Sequence, residues 1–125
     1  MGKKFLIDTN AIIDFSENKL PASGKAFLSE ILDSEPCISV VTKIELLGFA
    51  GIGQPIIDFV NESLVIGLTD EVVEQTIALR KKHKIKLPDA IIAATALLQK
   101  ATIGSHNIRD FQNIKKLKCV DPHTL

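Results

Sequence analysis

A chain of 125 residues with 15 Lys and Arg against 15 Asp and Glu has no formal net charge. That balance excludes the global basic footprint of many nucleic-acid binders and leaves any such contact local. Hydrophobic residues make up 46% and charged residues 24%, a globular composition, and the length predicts one domain over residues 1–125 with a single core.

The longest stretch that is apolar but for Thr95, Ala90 to Leu98, is far short of the roughly 18–20 residues a bilayer span needs. Met1-Gly2-Lys3-Lys4 leads into only three apolar residues before Asp8, so no signal peptide is expected. Leu6 stands where myristoylation of Gly2 would want Ser or Thr. The expected location is cytoplasmic, with no membrane partner. Cys37 and Cys119 sit in apolar, strand-like stretches and read as buried thiols. His83, His106 and His123 lack the paired spacing of a zinc site.

In chain order, Lys4 to Asp8 reads as a first strand, followed by a short helix from about Ala11. Ala22 to Leu32 carries Ala26, Phe27, Ile31 and Leu32 on one stripe, a helical pattern. Cys37 to Val41 is a second strand, and Thr42-Lys43-Ile44-Glu45 has the spacing of a capping box that starts a helix. Gly48, Gly51 and Gly53 break that helix, and Pro55 opens another through Asn61. Leu64 to Leu68 is a third strand. Thr69-Asp70-Glu71 starts a helix whose carboxyl end suits the basic run Arg80-Lys81-Lys82-His83-Lys84. Leu87-Pro88-Asp89 starts the next, with an Ala-rich face at Ala90, Ala93, Ala94 and Ala96. Ala101 to Ser105 is a fourth strand, Ile108 to Asn113 a helical turn, and Leu117 to Val120 a fifth strand. Such alternation predicts an α/β fold with right-handed crossovers and a mainly parallel sheet.

Asp8, Glu45 and Asp89 stand where apolar elements begin or end, and Asp110 follows the fourth strand. Taken singly, each has a structural explanation: a loop-bonding residue, a capping residue, a complement to a helix amino terminus, a surface turn. Taken together, they fall on the carboxyl edge of the strands, where open α/β sheets bind ligands. Acids facing one cavity repel unless protons or hard cations neutralise them, which points to Mg²⁺ or Mn²⁺. Such a site activates water at a phosphodiester without a nucleophilic side chain. No convincing nucleophile–base pair or phosphate-binding glycine loop competes with it.

Phe5-Leu6-Ile7-Asp8-Thr9-Asn10, Thr42-Lys43-Ile44-Glu45-Leu46-Leu47-Gly48, Leu87-Pro88-Asp89-Ala90-Ile91-Ile92-Ala93-Ala94-Thr95-Ala96 and Asn107-Ile108-Arg109-Asp110-Phe111 occur in this order. With these four segments the chain resembles the PIN-domain family, and within it the single-domain ribonuclease toxins of toxin–antitoxin operons. The resemblance implies a three-layer α/β/α sandwich with five strands in the order 3-2-1-4-5. It also implies a metal-dependent endoribonuclease in which Asp8, Glu45 and Asp89 bind one or two Mg²⁺ or Mn²⁺ ions, with Asp110 as a fourth acid. Asn10, Thr42, Ser105 and Asn107 would then be supporting polar groups. The fourth segment departs from the commoner form, since Gly104-Ser105-His106 stands where many members have Thr and a longer polar residue. The implied partners are an RNA substrate, a small antitoxin and a second copy of the chain. Arg80, Lys81, Lys82, Lys84 and Lys86 either contact RNA phosphates or form a solvated helix end.

Two rivals are a phosphorylation-driven receiver domain and a PIN-like scaffold that binds without cutting. A receiver wants paired acids after the first strand, an acceptor Asp after the third and a late Lys, whereas here Leu64 to Leu68 runs into a helix start and the fourth strand ends Gly104-Ser105-His106. A scaffold has no need of all three principal acids. A haloacid-dehalogenase-type phosphatase wants a second Asp that Asp8-Thr9-Asn10 lacks.

Overall fold

The structure, a computed structural model, describes residues 4–125; the reading of Met1-Gly2-Lys3 lies outside them. Five short strands, β1 (Phe5–Ile7), β2 (Cys37–Ser39), β3 (Leu64–Ile66), β4 (Thr102–Gly104) and β5 (Lys118–Val120), form one sheet in the order β3-β2-β1-β4-β5. Every pairing is parallel. This is the expected order, and it differs from the 2-1-3-4-5 order of receiver domains. The helices are α1 (Thr9–Ser16), α2 (Ala22–Asp33), α3 (Val40–Leu47), α4 (Gln54–Glu62), α5 (Asp70–Lys82) and α6 (Leu87–Gln99), with a 3₁₀ turn at Ile108–Asp110.

Successive strand residues point to opposite faces, and this alternation makes the three layers. Leu6, Cys37 and Ile103 pack with Val72, Leu79, Ile92 and Ala96 of α5 and α6. Ile7 and Ile38 pack with Ile12, Leu28, Ile31 and Val60 of α1, α2 and α4. The core is therefore two apolar layers divided by the sheet. The Ala face of α6 lets that helix lie close, since Ala90, Ala93, Ala94 and Ala96 are all fully buried.

Two helix starts differ from expectation, and both differences shape the edge of the sheet. α1 begins at Thr9, not Ala11, because the Asp8 carboxylate accepts the Thr9 N–H at 2.8 Å and caps the helix directly off β1. α3 begins at Val40, not Thr42. The Ser39 hydroxyl accepts the Val41 N–H at 3.1 Å, so the capping oxygen arrives three residues earlier and β2 is shortened to match. Thr42 and Glu45 are therefore not a capping box. Thr42 is buried within the helix, and Glu45 is freed for another contact.

α5 starts as expected, with the Thr69 hydroxyl accepting the Val72 N–H at 3.2 Å, Asp70 and Glu71 in the first turn and Arg80, Lys81 and Lys82 in the last. Lys84 and Lys86 fall beyond it, in the connection to α6. Both cysteines are free; Cys37 is buried and Cys119 half-buried. No helix among the described residues is long and apolar enough to cross a membrane.

Candidate functional site

Asp8 immediately follows β1 and is only 5% exposed. Its backbone N–H still pairs with the Gly104 carbonyl of β4 at 2.9 Å, so the ladder holds the carboxylate at the sheet edge. Oδ1 accepts from Thr9 N–H, while Oδ2 accepts from the Ser105 hydroxyl at 2.8 Å and the Asn10 amide at 3.3 Å. Burial nevertheless raises the Asp8 pKa above its ordinary value; the bonds from Ser105 and Thr9 oppose it, and the negative charge of Glu45 adds to it.

Asn10 and Ser105 bind this corner to the loop after β4. Asn10 Oδ1 accepts the His106 N–H at 2.9 Å, and Ser105 Oγ accepts the Asn107 N–H at 2.9 Å. The Asn107 amide in turn donates to Asp110.

On the other side, Thr9 Oγ1 lies 2.6 Å from Glu45 Oε1 and 3.3 Å from Thr42 Oγ1. A carboxylate can only accept, so the single Thr9 hydroxyl proton goes to Glu45 and the Thr42 hydroxyl supplies its own proton to Thr9.

Asp89 lies in the first turn of α6, behind Pro88. Burial is the main cause that raises its pKa to about 6, followed by the charges of Asp8 and Asp110, a proton shared with Asp110, and the charge of Glu45. Asp8, Glu45 and Asp110 are thus all within electrostatic reach of Asp89, and Glu45 is within reach of Asp8. They do not form a closed cage, for among the described residues no three His, Cys, Asp or Glu side chains are gathered at metal-holding distances. The donor set still fits a hard divalent cation: it is all oxygen, and the negative charges of its members add to the burial that raises the Asp89 carboxyl above the usual range.

A family model described as PIN domain matches residues 5–117. The chain belongs to the PIN-domain family. No match was found among curated proteins. Among solved structures, this PIN domain is similar to one from a toxin–antitoxin complex of Klebsiella pneumoniae, at 29% identity and a TM-score of 0.78, covering 98% of this chain and 100% of that one. It shares its fold with a chain of DNA-bound VapBC from Salmonella typhimurium (22% identity, TM-score 0.76, 97% and 99% covered). The same holds for a chain of FitAcB from Neisseria gonorrhoeae (23% identity, TM-score 0.74, 97% and 99% covered).

Within this PIN domain the structure brings Asp8, Asn10, Thr42, Glu45, Asp89, Ser105, Asn107 and Asp110 to one edge. Arg80, Lys81, Lys82, Lys84 and Lys86 form no ion pair or hydrogen bond with these acids among the described residues. Sequence reasoning missed Thr9 as the link to Glu45, because the partner is 36 residues away. It also missed a carboxyl-terminal network. His106 Nδ1 is 3.0 Å from Asp121 Oδ2, His123 Nε2 is 2.8 Å from Asp14 Oδ2, and the two imidazoles lie 4.1 Å apart. This network ties the loop that carries Asn107 to the chain end and to α1.

Proposed function

We propose that this PIN domain is a metal-dependent endoribonuclease that hydrolyses RNA phosphodiester bonds, and that it is the toxin of a toxin–antitoxin pair. The observation that carries the reading is the gathering of Asp8, Glu45, Asp89 and Asp110 at one edge of the sheet, where burial and the neighbouring acids together raise the Asp89 carboxyl. Acids that repel one another at the carboxyl edge of a parallel sheet, the innermost of them buried, have a use when a cation and a phosphodiester meet there.

Asp8, Glu45 and Asp89 would hold Mg²⁺ or Mn²⁺, with Asp110 as the fourth acid. The ion supplies positive charge that neutralises the phosphodiester and activates water for in-line displacement. The protein's part is orientation. Ser105 and Asn10 aim Asp8, and Thr9, backed by Thr42, aims Glu45. Asn107 restrains Asp110. Arg80, Lys81, Lys82, Lys84 and Lys86 are solvent-exposed and available to RNA phosphates.

The Klebsiella relative's description as a toxin–antitoxin complex supports a small antitoxin as partner. An antitoxin Arg or Lys entering the carboxylate cluster would compete with the metal. Ile44 (65% exposed), Leu47 (40%) and Phe49 (60%), around the end of α3, support burial against a second copy.

Purified protein incubated with mixed RNAs in Mg²⁺, Mn²⁺ or chelator tests the reading. Cleavage is expected only with metal, and Asp8→Asn is expected to abolish it while keeping the fold. Full activity in chelator or in Asp8→Asn, in preparations free of contaminating nuclease, overturns it. Growth arrest on expression, relieved by the neighbouring gene's product, tests the toxin role.

A further inference from the structure

At the opposite end of the sheet from the carboxylates lies a concavity of about 510 Å³, ringed by Lys4, Lys100, Lys115, Lys116 and Lys118. Lys4 immediately precedes β1, Lys100 precedes β4, and Lys118 opens β5. In a parallel sheet these positions share the amino-terminal edge, so the pocket and the carboxylates face away from each other.

No acid is among its lining residues. None of the five lysines forms an ion pair among the described residues. All five are exposed. A chain whose charges balance at 15 and 15 has therefore gathered a third of its basic residues around one hollow. The end of α6 does not account for them, since a helix carboxyl terminus offers only about half a negative charge. An edge strand such as β5 is blunted by a single lysine. Like charges around a concavity repel and focus a positive field, and an anion with several charges relieves that repulsion.

We propose that this pocket binds the phosphodiester backbone of a single-stranded nucleic acid. The choice of RNA rests on the function proposed above, in which the same strand would reach the carboxylates around the flank of the sheet. Lysine ammoniums are compact point charges that contact phosphates without demanding a fixed geometry. The lining holds no aromatic side chain on which a base could stack, which favours a backbone over a free nucleotide. Recognition here is indifferent to sequence and sensitive to salt.

The test is fluorescence anisotropy with a labelled oligouridylate of about 12 nucleotides, in EDTA to stop metal-dependent cleavage. The wild type is compared with Lys100→Gln/Lys116→Gln/Lys118→Gln, checked for an unchanged circular dichroism melt. Lys4→Gln/Lys115→Gln repeats the measurement through the other two side chains. The triple variant is expected to bind roughly tenfold or more weakly at low salt. Its slope of log affinity against log salt should be shallower by about 2, at about 0.7 per lost contact on a single strand. Equal affinity and slope in both variants overturn the proposal. So does a pocket that takes inorganic tripolyphosphate, or vesicles containing phosphatidylserine, through these lysines while oligouridylate binding is unaffected. Binding through the lysines by a protein that cuts no RNA would sink the nuclease and leave the pocket standing. Normal cleavage with lysine-independent binding would do the reverse.

Discussion

Ser105 Oγ donates a 2.8 Å hydrogen bond to Asp8 Oδ2 across 97 residues of chain. The bond joins the carboxyl ends of two neighbouring parallel strands, β1 and β4, at a carboxylate that is only 5% exposed. It also lowers a pKa that burial raises. The same hydroxyl accepts the Asn107 N–H, so one small side chain serves both the acid and the loop after β4.

Ser105→Ala should therefore destabilise the fold by about 1–3 kcal/mol, because a buried carboxylate and a backbone N–H each lose a partner. The Asp8 pKa should rise further, and the acid limb of RNA cleavage should move to higher pH. Urea denaturation and a pH–rate profile check both. An unchanged stability and acid limb would mean that the hydroxyl does not hold Asp8 in solution.

The Asp89 pKa sets a pH dependence of known sign. A carboxyl whose pKa is raised on folding, from 3.8 to about 6, carries no penalty below the lower value and its full penalty above the higher one. In chelator, Asp89→Asn should match the wild type near pH 4 and become more stable as the pH rises through 6. After discounting for its partial solvent screening, the gain is about 1–2 kcal/mol. A stability difference that stays flat from pH 4 to 7.5 would remove Asp89 from any cluster of acids.

Metal should reverse that penalty. Mg²⁺ or Mn²⁺ at a hundredfold excess over its dissociation constant should stabilise the wild type by about 2.7 kcal/mol. Asp8→Asn should melt higher than wild type in chelator and respond less to the ion. If the two proteins melt alike in chelator and shift equally with Mn²⁺, Asp8 is a loop-bonding residue and not a ligand.

Thr9 is the residue through which α1 positions Glu45, at 2.6 Å. Thr9→Val keeps the shape and removes the proton. The Mn²⁺ concentration for half-maximal cleavage should rise about 10- to 100-fold, the usual effect of losing a group that orients a ligand. Thr9→Ser should restore it, and a metal titration of both variants distinguishes this from general loosening of the helix.

Gly24→Ala opposes two effects. Alanine is the better helix former by about 1 kcal/mol, but a Cβ at Gly24 would lie 1.8 Å from the Pro122 carbonyl oxygen. Backbone cannot yield as a side-chain tip can, so the clash wins, with a net loss of about 1–2 kcal/mol. The displaced segment includes Asp121 and His123, and their contacts to His106 and Asp14 should loosen with it. Denaturation together with amide exchange at His123 reads both, and a more stable variant would show that the chain end is not seated against α2.

Local chemistry made much of this protein legible in the residues alone. Leu6 and Ile7 alternate faces, Thr69 and Asp70 start a helix, Pro88 fits a first turn, and Ala90, Ala93, Ala94 and Ala96 describe a close-packed face, because each depends on neighbours within a turn or a strand. The likeness of the segments around Asp8, Glu45, Asp89 and Asp110 to one family supplied the strand order. Only tertiary structure decided which oxygen caps α3, since Ser39 and Thr42 offer the same chemistry a turn apart. It also decided that Thr9 serves Glu45, that Gly24 makes room for Pro122, and that Lys4, Lys100 and Lys118 surround one hollow. The last three span dozens of residues, and no local propensity encodes them. They follow from a parallel sheet, which gathers every strand's beginning at one edge and every strand's end at the other.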